Sequence, residues 1–207
     1  MIDILRISLY ALASNKKEAF SMTSAHTDSP RFRTVDLAYI ALFSVLMAVC
    51  AWIAIPLAVS ITLQTFAIFA ALLTLGGRRG TYAVVVYLLL GAVGLPVFTG
   101  FQGGLGALLG PTGGYIIGFA ATALLYWLMT AKLGDSLPVS IAACVLGLAV
   151  CYAFGTPWFI KVYNAGAGSP IGLATALGWC VFPFLIPDAL KMALALALSA
   201  RLRRHIV

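Results

Sequence analysis

The sequence predicts an all-α integral membrane protein of six transmembrane helices, and three observations carry that prediction. Of 207 residues, 62% are hydrophobic and 9% charged, with a mean hydropathy of +1.05. A chain so poor in charge cannot cover the water-exposed surface of a soluble domain of this size. Breaking it at its Gly, Pro and charge clusters leaves six apolar runs near the length of about 20 residues that a bilayer core demands. Finally, the basic residues gather at alternate ends of those runs, as they do when charge records membrane orientation.

The runs are 36–58, 60–77, 80–99, 111–133, 138–162 and 171–200. The second opens "SITLQTFAIF", with Thr62, Gln64 and Thr65 near one end. An unpaired glutamine amide is costly in lipid, so Gln64 is expected to point into the bundle, where ligand contact and interhelical bonding would satisfy it equally. "GGRRG", Gly76 to Gly80, is a tight polar turn joining the second and third runs. After the third comes "GLPVFTGFQGGLGALLGPTGGYIIGF", Gly94 to Phe119, in which nine of 26 residues are glycine. A long, uncharged, glycine-rich connection suits a lid or re-entrant cap that brings backbone, at Gly104 and Gly106 among others, against a ligand. Gln102, Thr112 and Tyr115 are its polar side chains able to bond a solute, although Thr112 also stands where a helix cap would. Near the end of the fifth run, "FGTPWFIKVYN" places Trp158 and Tyr163 where an interfacial aromatic belt explains them as well as binding does.

The sixth run holds "FPFLIPDALKMALALALS". Asp188 and Lys191 are three residues apart, so they share one helix face. Each costs a few kcal/mol at membrane depth. A buried ion pair rarely outperforms apolar replacements, so the pair reads either as a packing device or as a polar site that accepts N–H bonds at the carboxylate and donates from the ammonium. Pro183 and Pro187 remove backbone donors just upstream, which at this depth is tolerated only beside protein or a cavity.

Arg31, Arg33, Arg78, Arg79, Lys132, Arg201, Arg203 and Arg204 flank one set of run ends, and Lys161 alone the other. The positive-inside rule puts the richer side, and both termini, in the cytoplasm of a multi-pass protein of the cytoplasmic membrane. Residues 1–33 are expected to be a cytoplasmic N-terminal extension, because "MIDILRISLYALAS" makes a poor cleavable leader; residues 34–207 are expected to be a single membrane domain. The net charge of +7 lacks an aromatic-interleaved basic stripe, which argues against nucleic acid. His26 and His205 lie outside the runs, no second carboxylate is expected at depth, and the four cysteines stand singly as small core residues. No catalytic constellation and no metal site follow. No phosphate-binding GK[ST] motif occurs, so any nucleotide hydrolysis has to come from partner chains.

"ITLQTFA", "GAVGLPVF", "GGLGALLGPTGGYIIGF" and "FPFLIPDALK", in this order on six runs, strongly resemble the BioY family, the biotin-specific substrate-binding S component of energy-coupling factor (ECF) transporters. The resemblance covers roughly 34–204. It implies an S-component-like six-helix bundle open to the outside, with Asp188 and Lys191 binding the vitamin. Biotin offers two ureido N–H donors, a ureido carbonyl, an apolar bicycle and an acid tail. Asp188 would accept from the N–H groups, and Lys191 would meet either the carbonyl or the acid. Gln64, Gln102, Thr112, Tyr115, Gly104 and Gly106 are the further candidate contacts. High-affinity biotin uptake is implied, with biotin as cargo rather than cofactor, membrane lipid as surroundings, and a transmembrane T component with two ATPase subunits as partners, or a homo-oligomer if the chain works alone. An S component for another small vitamin, and a non-transport membrane scaffold or enzyme, are the rival readings. Docking on the T component through small residues of the first helix finds Ala38, Ala41, Ser44 and Val45 without a clean Ala-xxx-Ala; Ala54 and Ala58 form such a pair near the other end.

Overall fold

Gly76 turns what would be one long helix into two. In the computed structural model, which describes residues 33–57, 59–166 and 170–206, the backbone at Gly76 has φ 80° and ψ 172° inside the helix Gln64–Ala92. A straight helix would hold residues 64 and 87 roughly 35 Å apart at its usual rise. Instead the Gln64 amide nitrogen donates to the Tyr87 hydroxyl over 2.8 Å. The segment is therefore an antiparallel hairpin with arms 64–75 and 77–92, and only glycine holds φ near +80° without strain. Gly80 lets the arms close: a methyl group there would sit 2.8 Å from Leu72 Cα.

In chain order the elements are α1 Thr34–Trp52, β1 Ala54–Ile55, β2 Ile61–Thr62, the hairpin α2 Gln64–Ala92, a 3₁₀ turn Thr99–Phe101, α3 Leu105–Leu109, α4 Gly113–Leu133, α5 Leu137–Gly166, α6 Leu173–Cys180 and α7 Phe182–Ile206. Four stretches, 34–52, 113–133, 137–166 and 173–203, are long and apolar enough to cross a membrane alone. With the two arms of α2 they make six helical passes. The short first arm of α2 is enclosed by the others, with Ala67, Ile68, Phe69, Ala70, Ala71 and Leu72 all within 1% of full burial. A helix apolar and buried on every side is a bundle's central member.

Several expected boundaries move. The first run ends at Trp52 rather than 58, because Pro56 cannot continue a helix and the extended residues around it pair instead, Ala54 with Thr62 and Ile55 with Ile61. The second begins at Gln64 accordingly. The third stops at Ala92, where Gly94 takes φ 105° and starts the loop. The sixth run is two helices, broken at Val181 (φ −121°, ψ −59°). Pro183 therefore falls in the first turn of α7, where its missing N–H costs nothing; Pro187, inside α7, leaves the carbonyl one turn before it without its helical donor. Residues 1–32, with His26 and Arg31, lie outside the described residues, as do Ala58 and the side chains of Arg204 and His205.

Small side chains and hydroxyls join the helices, as expected where lipid offers no hydrophobic drive between them. Ser44 of α1 donates to the Ala83 carbonyl at 2.8 Å, Thr81 to Ala123 of α4 at 2.9 Å, and Thr122 of α4 to Gly147 of α5 at 2.8 Å. Across the α4–α5 seam a methyl on Gly118 would meet Cys151 Sγ at 2.8 Å, and one on Gly147 would meet Thr122 at 2.7 Å. At one end of the bundle Arg79 pairs with Asp36 at 3.1 Å and Arg203 with Asp135 at 2.9 Å. Arg203 Nε also donates to the Leu73 carbonyl. These contacts gather the start of α1, the α2 turn, the α4–α5 connection and the end of α7 at one face. At the other end, Trp52 donates to the Pro96 carbonyl at 2.8 Å and stacks on Phe101, tying α1 to the loop.

Candidate functional site

A cavity of about 420 Å³ opens at the loop end of the bundle, within the size range of small-molecule sites. Its floor is built around Asp188. That carboxylate is 1% exposed, and three elements converge on it. Within α7, Lys191 Nζ lies 2.8 Å from Oδ1, the contact that three-residue spacing promised. From the first arm of α2, the Thr65 hydroxyl donates to the same oxygen over 2.9 Å. From the middle of α5, the Tyr152 hydroxyl donates to Oδ2. The charge is thus stabilised by three donors, one of them cationic, which is how a carboxylate is kept at membrane depth.

Six of the eight side chains or glycines singled out from sequence line this one cavity: Gln64, Gln102, Thr112, Tyr115, Asp188 and Lys191. Gln64 is 4% exposed, and its amide nitrogen is held by Tyr87. Tyr115 shares a 2.9 Å hydrogen bond with Thr156. Thr112 occupies the N-cap position of α4, yet its side chain makes no capping bond. Gln102 is solvent-exposed at the mouth, its backbone bridged to Phe98. Gly104 and Gly106 do not line the cavity, and a methyl group on either would meet nothing within 4 Å. Gly104 has φ +83° and donates its N–H to the Gly91 carbonyl over 2.7 Å, so it shapes the loop.

Spacing alone could not find Tyr152, which reaches Asp188 from 36 residues away, nor promote Thr65 above its neighbours. The one signal for Tyr152 is a tyrosine in mid-span rather than in the interfacial belt. Trp158 and Tyr163 take no part in the wall. Trp158 donates to the Gly110 carbonyl at 3.0 Å and so anchors the loop's end, while Tyr163 packs on Phe159 and Trp179. All four cysteines are buried and free, but Cys151 and Cys180 also line the cavity, a place that their reading as plain core residues did not give them. Phe98, Phe119, Phe159 and Phe184 supply apolar walls. Among the described residues, no three His, Cys, Asp or Glu side chains come together as a metal site. The pocket has an acceptor and an ammonium at its floor, aromatic sides and an uncharged polar rim.

The model of the BioY family matches residues 21–207. The chain belongs to the BioY family. Its relatives include the biotin transporter BioY of Thermotoga maritima, 40% identical over 79% of this chain and 92% of that one. The probable biotin transporter BioY of Pyrococcus horikoshii is 36% identical over 81% and 96%, and the biotin transporter BioY of Rhodobacter capsulatus 37% identical over 76% and 87%. Among solved structures, the S component for biotin from an ECF-type ABC transporter superposes with a TM-score of 0.74 at 29% identity, covering 84% of this chain and 96% of the other. The chain thus shares sequence similarity with those transporters and its fold with the solved S component.

Proposed function

We propose that this chain takes up biotin with high affinity, binding it from outside and delivering it across the cytoplasmic membrane as the S component of an ECF-type transporter or as a solitary transporter. The observation that carries this reading is the enclosed Asp188–Lys191 pair on the wall of a cavity otherwise lined by aromatic and uncharged polar groups. Residues 34–207 form the membrane substrate-binding domain, and residues 1–33 extend it on the cytoplasmic side. The chain is a carrier subunit and not an enzyme. Energy from ATP, where used, comes through a T component and a pair of ATPase subunits.

Each part of biotin finds a counterpart. The ureido N–H groups donate to Asp188. Lys191, held 2.8 Å from that carboxylate, sits at the same end and donates to the ureido carbonyl, leaving the acid tail to the polar mouth at Gln102 and Thr112. Phe98, Phe119 and Phe184 enclose the bicycle. Tyr115 and Gln64 complete the wall, and the loop borders the mouth through Thr99, Gly100, Gln102 and Pro111. The face bearing Arg79, Arg203 and their partners is cytoplasmic by the positive-inside rule, so the cavity opens outward, as an importer needs.

Thermal unfolding of the purified protein in detergent, with and without each of a panel of water-soluble vitamins, tests the reading. A ligand at a hundred times its Kd adds about 2.7 kcal/mol to apparent stability. Biotin alone should raise the transition. Stabilisation by a different vitamin in its place would make the chain an S component of another specificity, and stabilisation by none would return it to a scaffold.

A further inference from the structure

We infer that Tyr87, which does not line the cavity, sets its head-group specificity by holding the Gln64 amide in one orientation. Tyr87 is fully buried, and its hydroxyl lies 3.1 Å from the Val97 carbonyl and 2.8 Å from the Gln64 amide. A carbonyl can only accept, so the single tyrosine proton goes to Val97. Towards Gln64 the phenol oxygen is left as an acceptor. Gln64 must therefore turn its NH₂ to Tyr87 and its Oε1 the other way, an assignment decided by the bonding network itself. Gln64 lines the cavity, and Oε1 has no protein donor among the described residues. It is not sealed away either, since Thr74 Oγ1 is the one fully enclosed, unpartnered side-chain N or O among them.

The floor needs such an acceptor. A carboxylate offers about four acceptor positions. Asp188 already spends three of them, on Lys191, Thr65 and Tyr152. One position remains for a ligand N–H, whereas a ureido ring has two. Gln64 and Asp188 line the same cavity, so the two N–H donors divide between the one free position on the carboxylate and the Gln64 Oε1 that Tyr87 leaves unbonded. This rests on the biotin reading of the cavity. It also ties specificity to the loop, because the Val97 carbonyl that takes the tyrosine proton belongs to the segment leading to Gln102.

Competition against radiolabelled biotin on the detergent-purified full chain tests it. The ligands are biotin and the two cyclic carbamate analogues in which one ureido N–H is replaced by oxygen. Wild type should prefer biotin to each analogue by at least about tenfold. Tyr87→Phe keeps the ring and its edge-on contact with Phe98, whose centroid is 5.6 Å away, but frees the amide. This variant should bind biotin roughly fivefold more weakly and prefer it to one of the analogues by less than about threefold, because the flipped amide donates to the ring oxygen. In a Gln64→Leu background the same substitution should cause no further loss of biotin affinity. An unchanged preference in Tyr87→Phe, or an equal loss with and without Gln64, overturns the inference while leaving biotin binding intact. If Gln64→Leu fails to fold, the preference measured in Tyr87→Phe decides alone. Wild-type protein that ignores biotin altogether would instead remove the functional reading.

Discussion

Replacing Asp188 with asparagine tests the floor of the cavity most directly. Asparagine keeps the shape but converts one oxygen to an NH₂, so one acceptor edge becomes a donor. The carboxylate now accepts from Thr65 at 2.9 Å and Lys191 at 2.8 Å on one oxygen and from Tyr152 on the other. With the charge gone, the ammonium of Lys191, 6% exposed, faces a neutral amide. Breaking a buried pair from one side costs about 3–5 kcal/mol, so the ligand-free protein should melt earlier. For binding, the loss of one charge-assisted N–H bond is worth about 1.5–3 kcal/mol, which is roughly ten- to hundredfold in Kd. Isothermal titration or equilibrium binding of radiolabelled biotin reads this directly. Substituting both partners, Asp188→Leu with Lys191→Met, separates packing from recognition: an apolar pair of similar volume should recover most of the lost stability and none of the affinity. Asparagine protein that stays folded and binds within threefold of wild type would refute the role given to the carboxylate, as would near-native affinity in the double variant.

Further expectations follow from single features. A cysteine at Gln102, in a background without the four native cysteines, should react with a membrane-impermeant thiol reagent in intact cells and more slowly with biotin present, while one at Arg79 should react only after permeabilisation; the reverse pattern would invert the topology. Gly103→Ala should destabilise the loop and weaken binding, since its methyl would run into the Leu95 carbonyl, whereas Gly106→Ala, with open space around it, should leave the unliganded melting temperature unchanged. If Gly106→Val also leaves biotin affinity and uptake intact, the backbone at 106 does not approach the vitamin. At the α4–α5 seam, Gly147→Val should cost about 1–3 kcal/mol by overpacking against Thr122, seen as a lower melting temperature in detergent; an unchanged transition would mean that the seam can open at no cost.

Much of this protein is determined by sequence alone because its signals are local. Membrane class follows from composition, six passes from run length and punctuation, and the Asp188–Lys191 contact from two charges three residues apart on one helix. Gln64, Gln102, Thr112 and Tyr115 stood out as polar groups in apolar surroundings, and the fold brings all four to one cavity. Which side of each helix faces inward is another matter. Lipid tails are as apolar as leucine, so lipid-facing and bundle-facing sides carry similar residues and periodicity hardly separates them. Only the tertiary structure could bring Thr65 across 123 residues and Tyr152 across 36 to the same carboxylate. It also placed Cys151 and Cys180 on the wall and kept Gly104 and Gly106 off it. The same packing put the short first arm of α2 at the centre of the bundle, where neighbouring helices rather than lipid enclose it, so a run too short to span a bilayer alone is stable there.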